Sequence, residues 1–178
     1  MEYFAFFGLP AAFILDEEAL RQRFLQNSKK YHPDFHTLES EDKQAEILEL
    51  STLNNLAYRT LADFDQRMKY ILEQTGTLQE EGKNEIPQDF LMDMMEINEA
   101  LMELEFDFDE NSWRAAKEKA NTLEEELLAA VKPILENWNE KNGDAKELEA
   151  VRDFFLKKRY ILRILENLDK FAPASKEA

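Results

Sequence analysis

Cysteine is absent from the 178-residue chain, which excludes disulfides, thiolate nucleophiles and thiolate metal sites. Histidine is scarce: His32 and His36 are the only two, and no third imidazole completes an ordinary metal site with them. No metal and no cofactor is expected. Glycine and proline number only four and five. Together with few β-branched runs, this argues against a sheet-based fold and leaves long stretches for helix. The chain lacks a Gly-rich phosphate loop, so nucleotide binding is not expected. It also lacks the Glu-x-x-His pairs of di-iron bundles. No apolar run approaches the roughly 18 residues of a membrane span. The opening Met1-Glu2-Tyr3-Phe4-Ala5-Phe6-Phe7 is apolar but acidic and short, unlike a secretion signal. A cytoplasmic protein is the expectation.

What is present is apolar mass and negative charge. Hydrophobic residues make up 44% of the chain, thirteen of them Phe, and the formal net charge is −16. The apolar content marks a folding chain rather than a disordered acidic one. The charge is a poor match for a nucleic-acid backbone or an anionic membrane, so neither is an expected partner. Carboxylates are abundant, yet a charge-rich helical surface pairs them by chance, and none is assigned as a general acid. An enzyme is not expected.

Asp16 caps a predicted helix with Glu17 and Glu18 in its first turn. This helix stops near His32, because Pro33 disfavours helical geometry in the residue before it. Leu20, Phe24 and Tyr31 form its buried stripe. The short aromatic segment before it, closed by Leu9-Pro10, reads as helix or strand. A loop over 33–40 leads to a second long helix over about 41–61. Ile47, Leu50, Ala57, Tyr58 and Leu61 share one face of it, with Asn54 among them. The two helices are expected to pack antiparallel, covered by a shorter helix over about 65–74 that supplies Met68, Ile71 and Leu72. Residues 75–87, holding Gly76, Gly82 and Pro87, form the expected domain boundary. Three helices are expected beyond it, over about 88–106, 111–139 and 143–170. They should close into an antiparallel bundle, with caps at Asp109 and Asn111-Ser112, a link at Asn142-Gly143, and a kink or break at Pro133.

Two surfaces invite a partner. After Ala19 the first long helix carries only Arg21, Arg23, Lys29 and Lys30 as charged residues. They form either an ordinary solvated face or a docking surface for an acidic partner. The adjacent His32-Pro33-Asp34 turn favours docking, since a constrained turn presents polar groups at little ordering cost. In the second region Phe90, Leu91, Met92, Met94 and Met95 are too many for one narrow stripe. Glu96, Glu99 and Glu103 make an acidic ridge beside them. Methionine suits an adaptable protein contact.

Tyr31-His32-Pro33-Asp34 between a basic helix and a second long helix resembles the signature of a J-domain. Tyr3-Phe4-x-x-Phe7-Gly8-Leu9-Pro10, then Leu15-Asp16 and Leu20, is similar to the start of the HscB co-chaperone family. Asn55-x-Ala57-Tyr58-x-Thr60-Leu61, Arg67-x-x-Tyr70-x-Leu72 and Phe90-Leu91-Met92 continue the likeness. The resemblance implies an all-α fold: a J-domain with an antiparallel helical hairpin over 1–75, a linker over 76–87, a three-helix scaffold-binding domain over 88–172 and a flexible tail over 173–178. It implies a co-chaperone that stimulates the ATPase of a DnaK/HscA-type chaperone and delivers an IscU-type iron–sulfur scaffold. By that resemblance, Arg21, Arg23, Lys29, Lys30, His32, Pro33 and Asp34 meet the chaperone. Leu91, Met92, Met95, Glu96, Glu99, Glu103 and Phe155 meet the scaffold. Phe35 stands where many J-domains carry a basic residue, and Phe64 where a proline is usual. The absence of a Cys-rich N-terminal extension favours a bacterial-type relative. A J-domain co-chaperone for a different client, and a helical adaptor without chaperone activity, remain open at this point.

Overall fold

The structure is a computed structural model that describes residues 1–80, 83–141 and 143–171. Gly82, Asn142 and the expected tail over 173–178 lie outside the described residues. Every regular element among the described residues is helical, and one isolated β-bridge pairs Ala12 with Asn139. The chain divides into two compact units. The first takes Met1–Leu78 together with Leu135–Ala145, and the second takes Gln79–Ile134 with Lys146–Ala178.

The first unit contains α1 (Glu2–Phe6), α2 (Glu17–Lys30), a short 3-10 turn (Pro33–Phe35), α3 (Glu41–Ala62) and α4 (Phe64–Gln74). The aromatic opening segment is therefore helix. Asp16 starts α2 by accepting the Ala19 N–H at 2.9 Å. The helix ends at Lys30 because His32, ahead of Pro33, is extended at φ −73°, ψ 122°. Asp63 closes α3 and caps α4, accepting the Gln66 N–H at 2.8 Å. Phe64, the departure from the usual proline noted in the sequence, thus begins α4, with the Arg67 guanidinium 5.6 Å from its ring centre.

α2 and α3 pair with rising numbers on one helix against falling numbers on the other. Ser28 meets Asn54, and the Phe24 ring stacks on Tyr58 at 4.1 Å. Asn54, the polar intruder on the apolar stripe, is buried and donates to the Phe24 carbonyl at 3.2 Å and the Ser28 hydroxyl at 3.0 Å. Arg67 is also buried. Its guanidinium donates to the carbonyls of Phe13 (2.8 Å) and Leu61, tying three segments together. Burial pushes its pKa down, against the opposing pull of Glu17 and Asp63. Tyr3 stacks on Tyr70 at 4.5 Å and gives its N–H to the Tyr70 hydroxyl; burial raises the pKa of that phenol.

Leu135–Ala145 belongs to this unit although the expected second domain ran unbroken over 88–172. The physical reason is Trp138. Its buried indole lies 4.8 Å from the Phe13 ring, and the Glu140 N–H reaches the Ala11 carbonyl at 3.3 Å. Gly143 passes so close that a Cβ there would sit 1.8 Å from the Trp138 Nε1.

The second unit holds α5 (Gln88–Asp93), α6 (Met95–Phe106), and most of α7 (Glu110–Asn137) and α8 (Ala145–Asp169). The single helix expected over 88–106 divides at Met94. Its ψ of −10° departs from α geometry, and its carbonyl accepts both the backbone and the side-chain nitrogen of Asn98. α7 runs on through Pro133, so of the kink or break expected there the break does not occur. Proline there removes the donor to the Ala129 carbonyl and crowds that carbonyl with its ring, while Asp109 holds one end by accepting the Ser112 N–H at 2.7 Å and Trp138 is anchored just past the other. Phe90, Met94, Ile97, Leu104, Ala116, Ala120, Ile161 and Leu168 form one buried cluster shared by these helices. Trp113 donates to the Leu168 carbonyl at 2.8 Å, and Asn98 to the Tyr160 hydroxyl at 3.1 Å.

Candidate interaction surfaces

The first surface is the end of α2 and the turn after it. His32, Pro33 and Asp34 are all exposed. Their conformation is nonetheless set by local bonds. The Asp34 N–H donates to His32 Nδ1 at 3.3 Å, the Phe35 N–H to the His32 carbonyl at 3.0 Å, and the His36 N–H to the Pro33 carbonyl at 2.9 Å. With Nδ1 engaged inside the turn, Nε2 is the ring nitrogen left to meet a partner. Phe35 lies against the His32 ring, 5.4 Å between centres, and is itself largely exposed.

His36 closes the turn. Its Nε2 lies 2.8 Å from the Lys30 carbonyl, one of the last acceptors of α2 left without an intrahelical donor. Gln44 of α3 pins the following loop through the carbonyls of Thr37 (3.2 Å) and Glu39 (2.9 Å).

The four α2 cations are all exposed but differently engaged. Arg23 donates to the Phe7 carbonyl, bracing the turn at Gly8, whose φ of +60° is left-handed. Lys30 folds over the Tyr31 ring at 4.9 Å. Arg21 and Lys29 have no ion-pair partner among the described residues. They flank exposed Leu25 in one i, i+4 row.

The second surface lies on α5 and α6. Phe90 and Met94 go to the core, while Leu91, Met92 and Met95 stay exposed, Met92 at 75% and Met95 at 59%. The five apolar residues thus divide between two faces. Glu96, Glu99 and Glu103 are exposed beside them, and Glu96 pairs with Lys119 of α7. A groove of about 790 Å³ runs there, lined by Met92, Asp93, Glu96, Glu118, Lys119 and Leu123 among others. Phe155 is the exception among the expected contact residues. At 4% exposure it is a packing residue, with Arg159 over its ring, and presents no face to a partner.

No cluster of three or more metal-ligating side chains occurs among the described residues, and no helix there is long and apolar enough to cross a membrane.

A family model described as the HSCB C-terminal oligomerisation domain matches residues 86–169. A co-chaperone protein HscB homolog of Vibrio vulnificus is 34% identical over 145 residues, covering 75% of this chain and 84% of the relative. The chain belongs to the HscB co-chaperone family. A second HscB homolog, of Chromobacterium violaceum, is 32% identical and covers 73% of this chain and 76% of its own. Among solved structures, the chaperone HscB from Vibrio cholerae aligns over 96% of both chains with TM-score 0.65 and 27% identity. The human co-chaperone protein HscB aligns over 96% of this chain and 81% of its own, with TM-score 0.70 and 26% identity. Membership of this J-domain-type co-chaperone family makes the chain a co-chaperone and not an enzyme.

The HscB-like residues fall into two physical kinds. Tyr3, Phe4, Phe7, Arg67, Tyr70 and Leu72 are spent on packing and internal hydrogen bonds. His32, Pro33 and Asp34 are spent on nothing internal beyond their own turn. His36, read from the sequence only against a metal site, instead closes the turn, and nothing in the sequence around Trp138 points to its role. Met102 and Phe106, at 61% and 89% exposure on α6, lie outside both surfaces expected from the sequence. Their spacing of four was the available signal.

Proposed function

We propose that this protein stimulates the ATPase of a DnaK/HscA-type chaperone and delivers to it an IscU-type iron–sulfur scaffold, assisting cluster transfer in the cytoplasm. The observation that carries this reading is the exposed, internally braced His32-Pro33-Asp34 turn in a chain of the HscB family. In this reading the first unit acts as the J-domain, its α2–α3 hairpin presenting the turn, and the second unit, built on α5 to α8, acts as the scaffold-binding domain.

The chaperone would meet two pre-shaped polar groups, the His32 Nε2 and the Asp34 carboxylate. Preorganisation limits the ordering cost of binding. Arg21 and Lys29 steer an acidic face into place, with Arg23 and Lys30 contributing charge from more constrained positions. Leu91, Met92, Met95, Glu96, Glu99 and Glu103 hold the scaffold, with Phe155 packed beneath the domain surface. Coupling arises because one molecule binds both partners, so client arrival and the chaperone's conformational switch are linked events.

The test is ATP turnover by a DnaK-class chaperone, with and without an IscU-type scaffold. Wild-type protein should accelerate turnover, and further with scaffold present. His32→Gln should return turnover to the unstimulated rate while scaffold affinity, by titration calorimetry, stays at the wild-type value. A His32→Gln protein that stimulates normally removes the turn from this role.

A further inference from the structure

Beyond the six α5–α6 residues assigned above, α6 carries a longer apolar row. Met95, Glu99, Met102 and Phe106 follow one another at intervals of four, three and four. At ~100° per residue they fall within about 60° of one another. The apolar members are 59%, 61% and 89% exposed. A phenylalanine so open on a regular helix is unusual, and the three lie in one line rather than scattered, which marks an interaction face.

The charge around this row selects its occupant. α6 contains Glu96, Glu99, Glu103 and Glu105 and not one cation. Asp107 and Asp109 continue the sign just beyond Phe106. A second copy of this chain laid on the same row would bring like ridges together, which is unfavourable. An anionic lipid surface is repelled in the same way. A protein face with apolar residues rimmed by Lys or Arg is attracted. Three thioether and aromatic side chains adapt to such a face without a preformed pocket.

We infer that the scaffold-facing surface extends along α6 through Met102 to Phe106, and that the scaffold meets it with an apolar strip flanked by basic side chains. This rests on the scaffold reading above, but adds residues and a partner chemistry that the reading does not require. Met102 and Phe106 then contribute affinity as apolar anchors, and Glu99 and Glu103 set the register of the basic rim.

The experiment is titration calorimetry with an IscU-type scaffold at two salt concentrations, alongside sedimentation of the free protein. Met102→Ser with Phe106→Ser removes mostly exposed side chains and should lower the thermal midpoint only slightly, by the weaker helix propensity of serine. It should weaken scaffold binding about ten- to hundredfold. Glu99→Lys with Glu103→Lys should weaken binding and abolish its loss of affinity with added salt. If wild type binds scaffold and the Ser variant binds equally well, the extension is overturned while the scaffold reading stands. If wild type binds no scaffold, both fall. Concentration-dependent dimers of wild type that the Ser variant lacks would assign the row to a second copy and also overturn the inference.

Discussion

The two units solve opposite recognition problems. The first presents a short cationic helix face and a polar turn closed onto α2 by His36, with Gln44 pinning the loop that follows. The second presents methionines and phenylalanine beside an unbroken row of glutamates. One surface is rigid, polar and positive; the other is adaptable, apolar and negative. Surfaces that differ in both sign and polarity suit partners of different chemistry. The difference also separates what each unit asks of its interior. In the first, buried Asn54 and Arg67 make directional bonds that fix register, where unsatisfied carbonyls would be costly. In the second, the described core cluster is purely apolar and places a helix face.

The comparison can be broken most forcefully at Trp138. Trp138→Ala should remove about 3–5 kcal/mol of stability, as for other buried large-to-small changes. The loss should register in the first unit: urea unfolding shifts, and hydrogen exchange accelerates among residues 1–78. Protection there at wild-type levels would mean that the 135–145 segment is dispensable to it. Met92→Ala with Met95→Ala probes the other surface. Scaffold affinity should fall about tenfold, while ATPase stimulation without scaffold is unaltered; equal affinity in calorimetry would remove those two side chains from the contact.

The smallest effect sharpens the account of how α7 begins. The Ser112 N–H bonded to Asp109 holds that carboxyl below its usual pKa. A carboxyl with a depressed folded pKa contributes stability above its unfolded pKa and loses it as pH falls through the folded one. Asp109→Ala should therefore lower the thermal midpoint slightly at neutral pH. The gap to wild type should close as pH drops below the ordinary aspartate range. A gap that persists in strong acid would point to a cause other than the carboxylate.

Helix positions were legible because their signals are local. Asp16 and Pro33 mark both ends of α2, and Asp109 marks the start of α7. The turn was legible because three consecutive residues carry it. The rest depended on distant partners. Nothing near Trp138 in sequence announces that it packs on Phe13, nor that Arg67 reaches the Phe13 carbonyl. Phe155 was misplaced for the same reason: on a long amphipathic helix the buried face is defined only by what lies opposite. Met94 shows a subtler limit, since a change in ψ at one residue divides a helix whose apolar pattern continues across it.

The first unit is assembled from chain segments between which Gln79–Ile134 intervene. On a ribosome adding about 5–20 residues per second, the segment bearing Trp138 arrives several seconds after Leu78. For that interval the Phe13 ring lacks the indole that packs on it in the finished fold. A newborn co-chaperone therefore waits, with part of an aromatic contact unmade, in the way a chaperone's own client does.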